Sequence, residues 1–290
     1  MLLRKTLAWC VHLYTALGLV AAAGIAVLIH QGDADSIRWA FVLMLIATLI
    51  DATDGTLARM IHIKEVLPGF YGRRLDDLVD FLTYSFLPLF LLWRADIPQG
   101  ETWWLLVPLL ASVYGFCQVS AKTADGYFLG FPSLWNVMAF YLYVLEPPSW
   151  LALALLFTLA FLTFVPSRYL YPTQRGRLNY LTNVLATIWS ILLMWILVGT
   201  PFGDTGAGPL RDEWSRLFTL VSLVFPIYYL LASWAVTLRY WRMSRTGAVD
   251  GTLASGAPIT LEPGPGTAQA RADGSQTSRK KSYVITPDDP

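Results

Sequence analysis

The 290-residue chain reads as an all-α integral membrane protein, and three observations carry that reading. Its residues are 55% hydrophobic and only 14% charged, with a mean hydropathy of +0.49, a balance foreign to ordinary soluble domains. Apolar runs close to the length that crosses a bilayer as a helix recur about eight times along it. Acids and bases fall almost entirely in the short gaps between those runs, so a net charge of +1 describes topology and points to no nucleic-acid partner.

Taken in order, the runs fall at about 7–29, 37–58, 75–93, 103–120, 134–145, 150–166, 178–198 and 216–238. The first follows Arg4 and Lys5 as a signal peptide would, but it is too long for an h-region and is expected to be an uncleaved span. The fully apolar parts of the second and third, 37–50 and 81–93, cover only about 20 Å of a hydrocarbon core ~30 Å thick, so their missing turns must be the acidic ones beside them. The fifth run is short, and Glu146, Pro147 and Pro148 are expected to turn it tightly into the sixth. An even number of spans puts both termini on one side. With that side cytoplasmic, Arg59, Lys64, Arg73, Arg74, Lys122, Arg168, Arg175, Arg177, Arg239, Arg242 and Arg245 lie inside, against Arg38, Arg94, Arg211 and Arg216 outside, which is the asymmetry of the positive-inside rule. Cys10 and Cys117 lie far apart within apolar runs, offer neither a disulfide framework nor a metal-ligand spacing, and are expected to pack between helices. From about residue 246, Gly, Ala, Pro, Thr and Ser replace the aromatics. The expected division is a membrane-embedded domain over 1–243 and a disordered cytoplasmic tail over 244–290, with Arg279, Lys280 and Lys281 a weak anchor for anionic lipid.

The chemistry is concentrated in DATDGTLARMIHIKEVLPGFYGRRLDDLVD, residues 51–80, where five aspartates sit between two apolar runs. Positions 51, 54 and 58 share one helix face and positions 76, 80 and 84 share one face of the next helix, so Asp51, Asp54, Asp76 and Asp80 can converge at the cytoplasmic ends of an antiparallel pair. Four converging carboxylates repel one another unless a cation compensates them, and hard oxygen donors suit Mn²⁺ or Mg²⁺. Gly55, Ala58 and Gly72 keep the adjoining backbone bare for a flat or phosphorylated ligand, and Arg59 offers a fork of donors to phosphate oxygens. Any one of these acids alone reads equally well as a helix cap or solvated charge. Four at these spacings beside hydrocarbon read as a functional site, while Asp77, off the shared face, reads as a solvated charge.

Written as Asp51, two residues, Asp54, Gly55, two residues, Ala58, Arg59, then Gly72, three residues, Asp76, three residues, Asp80, the stretch resembles the signature of the CDP-alcohol phosphotransferases. The gap of 12 residues between Arg59 and Gly72 is longer than the family's commoner pattern and resembles a bacterial branch, expected to have eight spans, that joins CDP-diacylglycerol to choline. Similarity continues through AWCVHLYTALG, KEVLP, DFLTY and GFPSLWNVMAF and covers about residues 7–240. The resemblance implies a six-helix core, usually dimeric, in a multi-pass inner-membrane enzyme with its site on the cytoplasmic side. It implies Asp51, Asp54, Asp76 and Asp80 as metal ligands, with Asp80 also the general base for the choline hydroxyl, and Gly55, Ala58, Arg59 and Gly72 bordering the CDP moiety. The implied reaction turns CDP-diacylglycerol and choline into phosphatidylcholine and CMP.

A quaternary ammonium is recognised by aromatic faces. Tyr84, one turn past Asp80, is the first choice for choline, followed by the cluster of Tyr127, Phe128, Phe131 and Trp135, although interfacial aromatics also form ordinary belts. His12 and Thr15 lie near the cytoplasmic end of the first helix; His12 could reach the cytidine or its phosphates, and Thr15 is expected to satisfy a backbone carbonyl instead. Arg168, Arg175 and Arg177, with Tyr169 and Tyr171, could hold lipid phosphate but are expected to be topogenic charge. The rival readings are a family member that uses serine, inositol phosphate or glycerol phosphate, one in which CDP-choline donates to diacylglycerol, and a choline or cation transporter. Transport sites tend toward the midplane at broken helices within inverted repeats, a pattern this sequence lacks.

Overall fold

The structure, a computed structural model, describes residues 2–119, 121, 123, 127–170, 177–199 and 213–245. Lys122, Arg175, Arg211, Tyr171, the side chain of Arg177 and nearly all of the anticipated tail lie outside those residues. The first two runs form α1, Leu2–Gln31, and α2, Ala34–Met60. On α1 the buried positions Ala8, His12, Thr15, Gly18, Ala22, Ile25 and Ile29 recur every three or four residues, one face of a helix, and that face packs along α2. Gly32 makes the turn between them at φ +75°, a left-handed conformation that suits glycine, with the Arg94 guanidinium packed where a side chain would stand. Asp33 then caps α2, accepting a hydrogen bond from the Ser36 backbone at 2.9 Å, and the Ser36 side-chain and backbone donors hold its carboxyl below the ordinary range.

The 12-residue gap folds into a single turn, α3, Ile63–Val66, followed by the bend that carries Phe70. The third run is a continuous helix in three parts: α4, Gly72–Asp80, a π-helical turn, Phe81–Phe86, and α5, Leu87–Arg94. Pro88 explains the middle part. It has no N–H to give the Tyr84 carbonyl four residues back, and its ring crowds that carbonyl, so the backbone widens and the Leu87 N–H bonds to the Leu82 carbonyl five residues back.

Further on, a short 3₁₀ turn leads into α6, Leu106–Cys117, followed by β1, Tyr127–Leu129, α7, Trp135–Leu145, α8, Ser149–Phe164, β2, Arg168–Leu170, α9, Arg177–Gly199, α10, Glu213–Ser222, and α11, Val224–Arg245. The expected hairpin is present, with Glu146 in the left-handed region at φ 44° ending α7. β1 and β2 pair antiparallel with Phe128 opposite Tyr169, and this small ribbon is tied to α11, where the Thr237 hydroxyl accepts from the Arg168 N–H at 2.8 Å. Each expected apolar run is largely helical within the described residues, the last of them as α10 and α11, which meet at Leu223. Four helices, Leu2–Gln31, Ala34–Met60, Leu178–Gly199 and Glu213–Ser244, are long and apolar enough to cross a membrane; Thr102–Cys117, Trp135–Leu145 and Ser149–Phe164 are shorter.

The core gathers Ile25, Ile29, Leu91, Leu92, Leu142 and Leu156, all fully buried. The outer surface is just as apolar: Leu13 is 66% exposed, Val20 67%, Phe161 67% and Ile191 65%. Large side chains arranged in that way on long helices need hydrocarbon around them, and the protein is a membrane protein. Cys10 and Cys117, expected inside, are exposed among these outward residues; a small apolar thiol is as comfortable against lipid as in a core.

Candidate active site

The acidic residues meet where α2 ends and α4 begins. Asp51 from α2 and Asp76 and Asp80 from α4 each bring a carboxylate oxygen to within 4.8 Å of the others. All the donors in this group are hard oxygens, with no thiolate or imidazole among them. Carboxylates gathered this closely repel one another and a hard divalent ion offsets that repulsion, so the set fits such an ion.

Asp54 is oriented differently. It is 5% exposed, and its Oδ2 accepts a hydrogen bond from the Thr15 hydroxyl at 2.6 Å, on the side of α2 that faces α1. Three residues along an α-helix leave neighbouring side chains roughly 60° apart, so Asp51 and Asp54 address different neighbours. Thr15 therefore does more than expected: its hydroxyl also lies 3.4 Å from the Val11 carbonyl, but the shorter contact is to Asp54. Beside it, the Tyr14 hydroxyl and Thr53 Oγ1 lie 2.8 Å apart, a second polar link between α1 and α2.

Gly55 and Ala58 are half-buried and Arg59 is exposed, its Nη2 donating to Thr56 Oγ1 at 3.1 Å. Ala58 and Arg59 also form one side of an open cavity of about 440 Å³, completed by His62, Ile63, Lys64 and Glu65 of the gap. Gly72 is not bare toward a ligand: a Cβ there would stand 2.5 Å from His12 Cε1. The glycine admits the imidazole. His12 in turn packs on Phe70, with ring centroids 4.3 Å apart, and its Nε2 is buried without a hydrogen-bond partner. Phe70, which also meets Trp9 of α1, did not stand out in the sequence, because an aromatic in a loop carries no positional signal of its own.

The aromatics expected to wall a choline site are differently engaged. The Tyr84 hydroxyl donates to Asp51 Oδ2 at 2.8 Å from the π-helical turn. Trp135 is fully buried, with its indole N–H donating to Ser112 Oγ at 2.6 Å and its ring edge-on to Phe131, so it is a packing residue with no face left for a cation. The Tyr127 ring already carries a cation, the Arg168 guanidinium 5.5 Å from its centroid and 3.5 Å from that of Tyr240. Arg168, expected to be topogenic charge, is only 4% exposed and is engaged by these rings.

Acidic side chains gathered on long apolar helices, with an open cavity lined in part by Arg59 and Lys64, belong to a membrane protein with a group of hard oxygen donors. The chain belongs to the CDP-alcohol phosphatidyltransferase family, whose profile matches residues 11–203, and it is a transferase. It is similar to the phosphatidylcholine synthase of Pseudomonas aeruginosa, at 38% identity over 69% of this chain and 83% of that one. The phosphatidylcholine synthase of Legionella pneumophila is 35% identical over 78% of this chain and 87% of its own, and that of Bradyrhizobium diazoefficiens is 38% identical over 67% and 72%.

Proposed function

We propose that the protein transfers the phosphatidyl group of CDP-diacylglycerol to choline and releases CMP. The observation that carries the reading is the meeting of Asp51, Asp76 and Asp80 in a chain whose relatives bear the name phosphatidylcholine synthase along most of their length. Asp51, Asp54, Asp76 and Asp80 are the residues to hold Mn²⁺ or Mg²⁺. When bound, such an ion neutralises the diphosphate and eases the departure of CMP. Gly55, Ala58 and Arg59 border the CDP moiety, with Arg59 donating to its phosphate oxygens, while Gly72 acts at that edge by admitting His12, whose unpartnered Nε2 offers a polar contact.

In the reaction, the choline oxygen attacks the phosphorus bearing the diacylglycerol in line with the CMP oxygen, a P–O bond forms as the other breaks, and the choline proton passes to Asp80. The acceptor assignment rests on the relatives, since the polar atoms or faces of Tyr84, Tyr127 and Trp135 are otherwise engaged.

The same reading places the enzyme in a bacterial inner membrane with about eight crossings and both termini and the active site on the cytoplasmic side. It assigns 1–243 to the membrane-embedded domain and 244–290 to a cytoplasmic tail. Assembly as a homodimer follows from the family resemblance alone. The test is an assay of the purified protein with CDP-diacylglycerol and Mn²⁺, offered choline, serine, inositol phosphate and glycerol 3-phosphate in parallel. Phosphatidylcholine and CMP with choline alone are expected; product with another alcohol, or with none, overturns the acceptor.

A further inference from the structure

We infer that Tyr84 is a positioning residue for the cation site, acting through Asp51, and not a wall of the choline site. The inference rests on the proposed metal site. Tyr84 is 7% exposed, and its hydroxyl donates to Asp51 Oδ2 at 2.8 Å. An ionised carboxylate only accepts hydrogen bonds, and a phenol has one proton, so the direction of this bond is fixed. A donor held on one oxygen sets the rotation of the Asp51 carboxylate before a cation arrives, and partners of this kind commonly tune metal ligands.

The Tyr84 hydroxyl has a polar neighbour on α2. Thr48 of α2 lies beside it, and Asn136 of α7 donates from Nδ2 to Thr48 Oγ1 at 3.2 Å. The Thr48 hydroxyl is anchored in turn on the Met44 carbonyl at 2.9 Å. Tyr84 thus puts its one proton on Asp51 inside otherwise apolar helices, where unsatisfied polar groups are costly. The backbone points the same way. Pro88 forces the π-helical turn Phe81–Phe86, and that wider turn re-aims the side chains following Asp80, Tyr84 among them. Without the turn, Tyr84 would leave the helix at a different angle from the one that meets Asp51.

The test is Tyr84→Phe in the full-length protein in detergent, read by Mn²⁺ binding from the electron paramagnetic resonance signal of the free ion, without substrates, and by the KM for choline. Phenylalanine keeps the ring for any cation contact and removes only the hydroxyl. Mn²⁺ affinity is expected to fall about tenfold while the choline KM stays within about twofold. Unchanged Mn²⁺ affinity with a raised choline KM overturns the inference and returns Tyr84 to the choline site. Unchanged values of both overturn it as well. The metal-free melting temperature is measured alongside. If Tyr84→Phe fails to fold, Pro88→Ala, which leaves Tyr84 in place and removes the cause of the π-helical turn, carries the test: weakened Mn²⁺ binding is expected, and unchanged affinity contradicts the inference. Failure of the metal site itself is distinguishable, because the unaltered chain would then bind no Mn²⁺.

Discussion

Asp80 and Gly72 illustrate how differently one motif's residues act. Asp80 is one of three carboxylates within 4.8 Å of one another, and in the proposed reaction it takes the proton from the acceptor. Asp80→Asn keeps the shape and removes the base, so turnover is expected to fall by about 10²-fold or more while CDP-diacylglycerol binding persists, measured by CMP release and by equilibrium binding. Substantial residual turnover would remove Asp80 from that role. Gly72 acts through packing. An added methyl would meet His12 Cε1 at 2.5 Å, so Gly72→Ala should destabilise the fold by about 1–3 kcal/mol, as overpacking does. His12→Ala opens the space, and the double variant should recover most of the loss in thermal unfolding. Additive losses would mean the two residues do not share that contact. The motif spacing pointed to four converging acids, of which Asp51, Asp76 and Asp80 gather, and it could not show that a glycine hydrogen faces an imidazole, since the partner lies 60 positions away in sequence.

At the scale of elements, the α1–α2 hairpin positions half the site through a few hydroxyls. Thr15→Val leaves Asp54 buried without its 2.6 Å donor, and the cost expected is about 1–3 kcal/mol, read as a lowered melting temperature. A melting temperature equal to that of the unaltered protein would show that water replaces the hydroxyl. The longer helices were legible in the sequence because they are apolar runs, and the bounds expected for α2, α8 and α9 lie within a few residues of those observed. The π-helical turn was not legible from composition: FLTYSF has no signature of its own, and its cause, Pro88, sits after it. The polar partners of the aromatics chosen for choline were not legible for a related reason. Tyr84 and Trp135 announce their rings in the sequence, whereas their bonds to Asp51 and Ser112 depend on helices that only the fold brings together.

For the whole molecule, an apolar exterior, a few buried polar groups and a group of acids on the helices describe one enzyme of the CDP-alcohol phosphatidyltransferase family. The family match ends at residue 203 and the last described helix at Arg245, so removal of 246–290 is expected to leave the turnover of the purified protein within about twofold. Loss of turnover in a truncated protein of normal melting temperature would give the tail a part in catalysis. The central claim is that choline displaces CMP at the phosphorus bearing the diacylglycerol. It is tested most directly by supplying CDP-diacylglycerol labelled with ³²P at that phosphorus, together with ¹⁴C-choline and Mn²⁺, and following both labels. The account predicts equal molar amounts of both labels in one phospholipid and none of the ³²P in the released CMP. Label in CMP, or phospholipid that carries ³²P without choline, would contradict it.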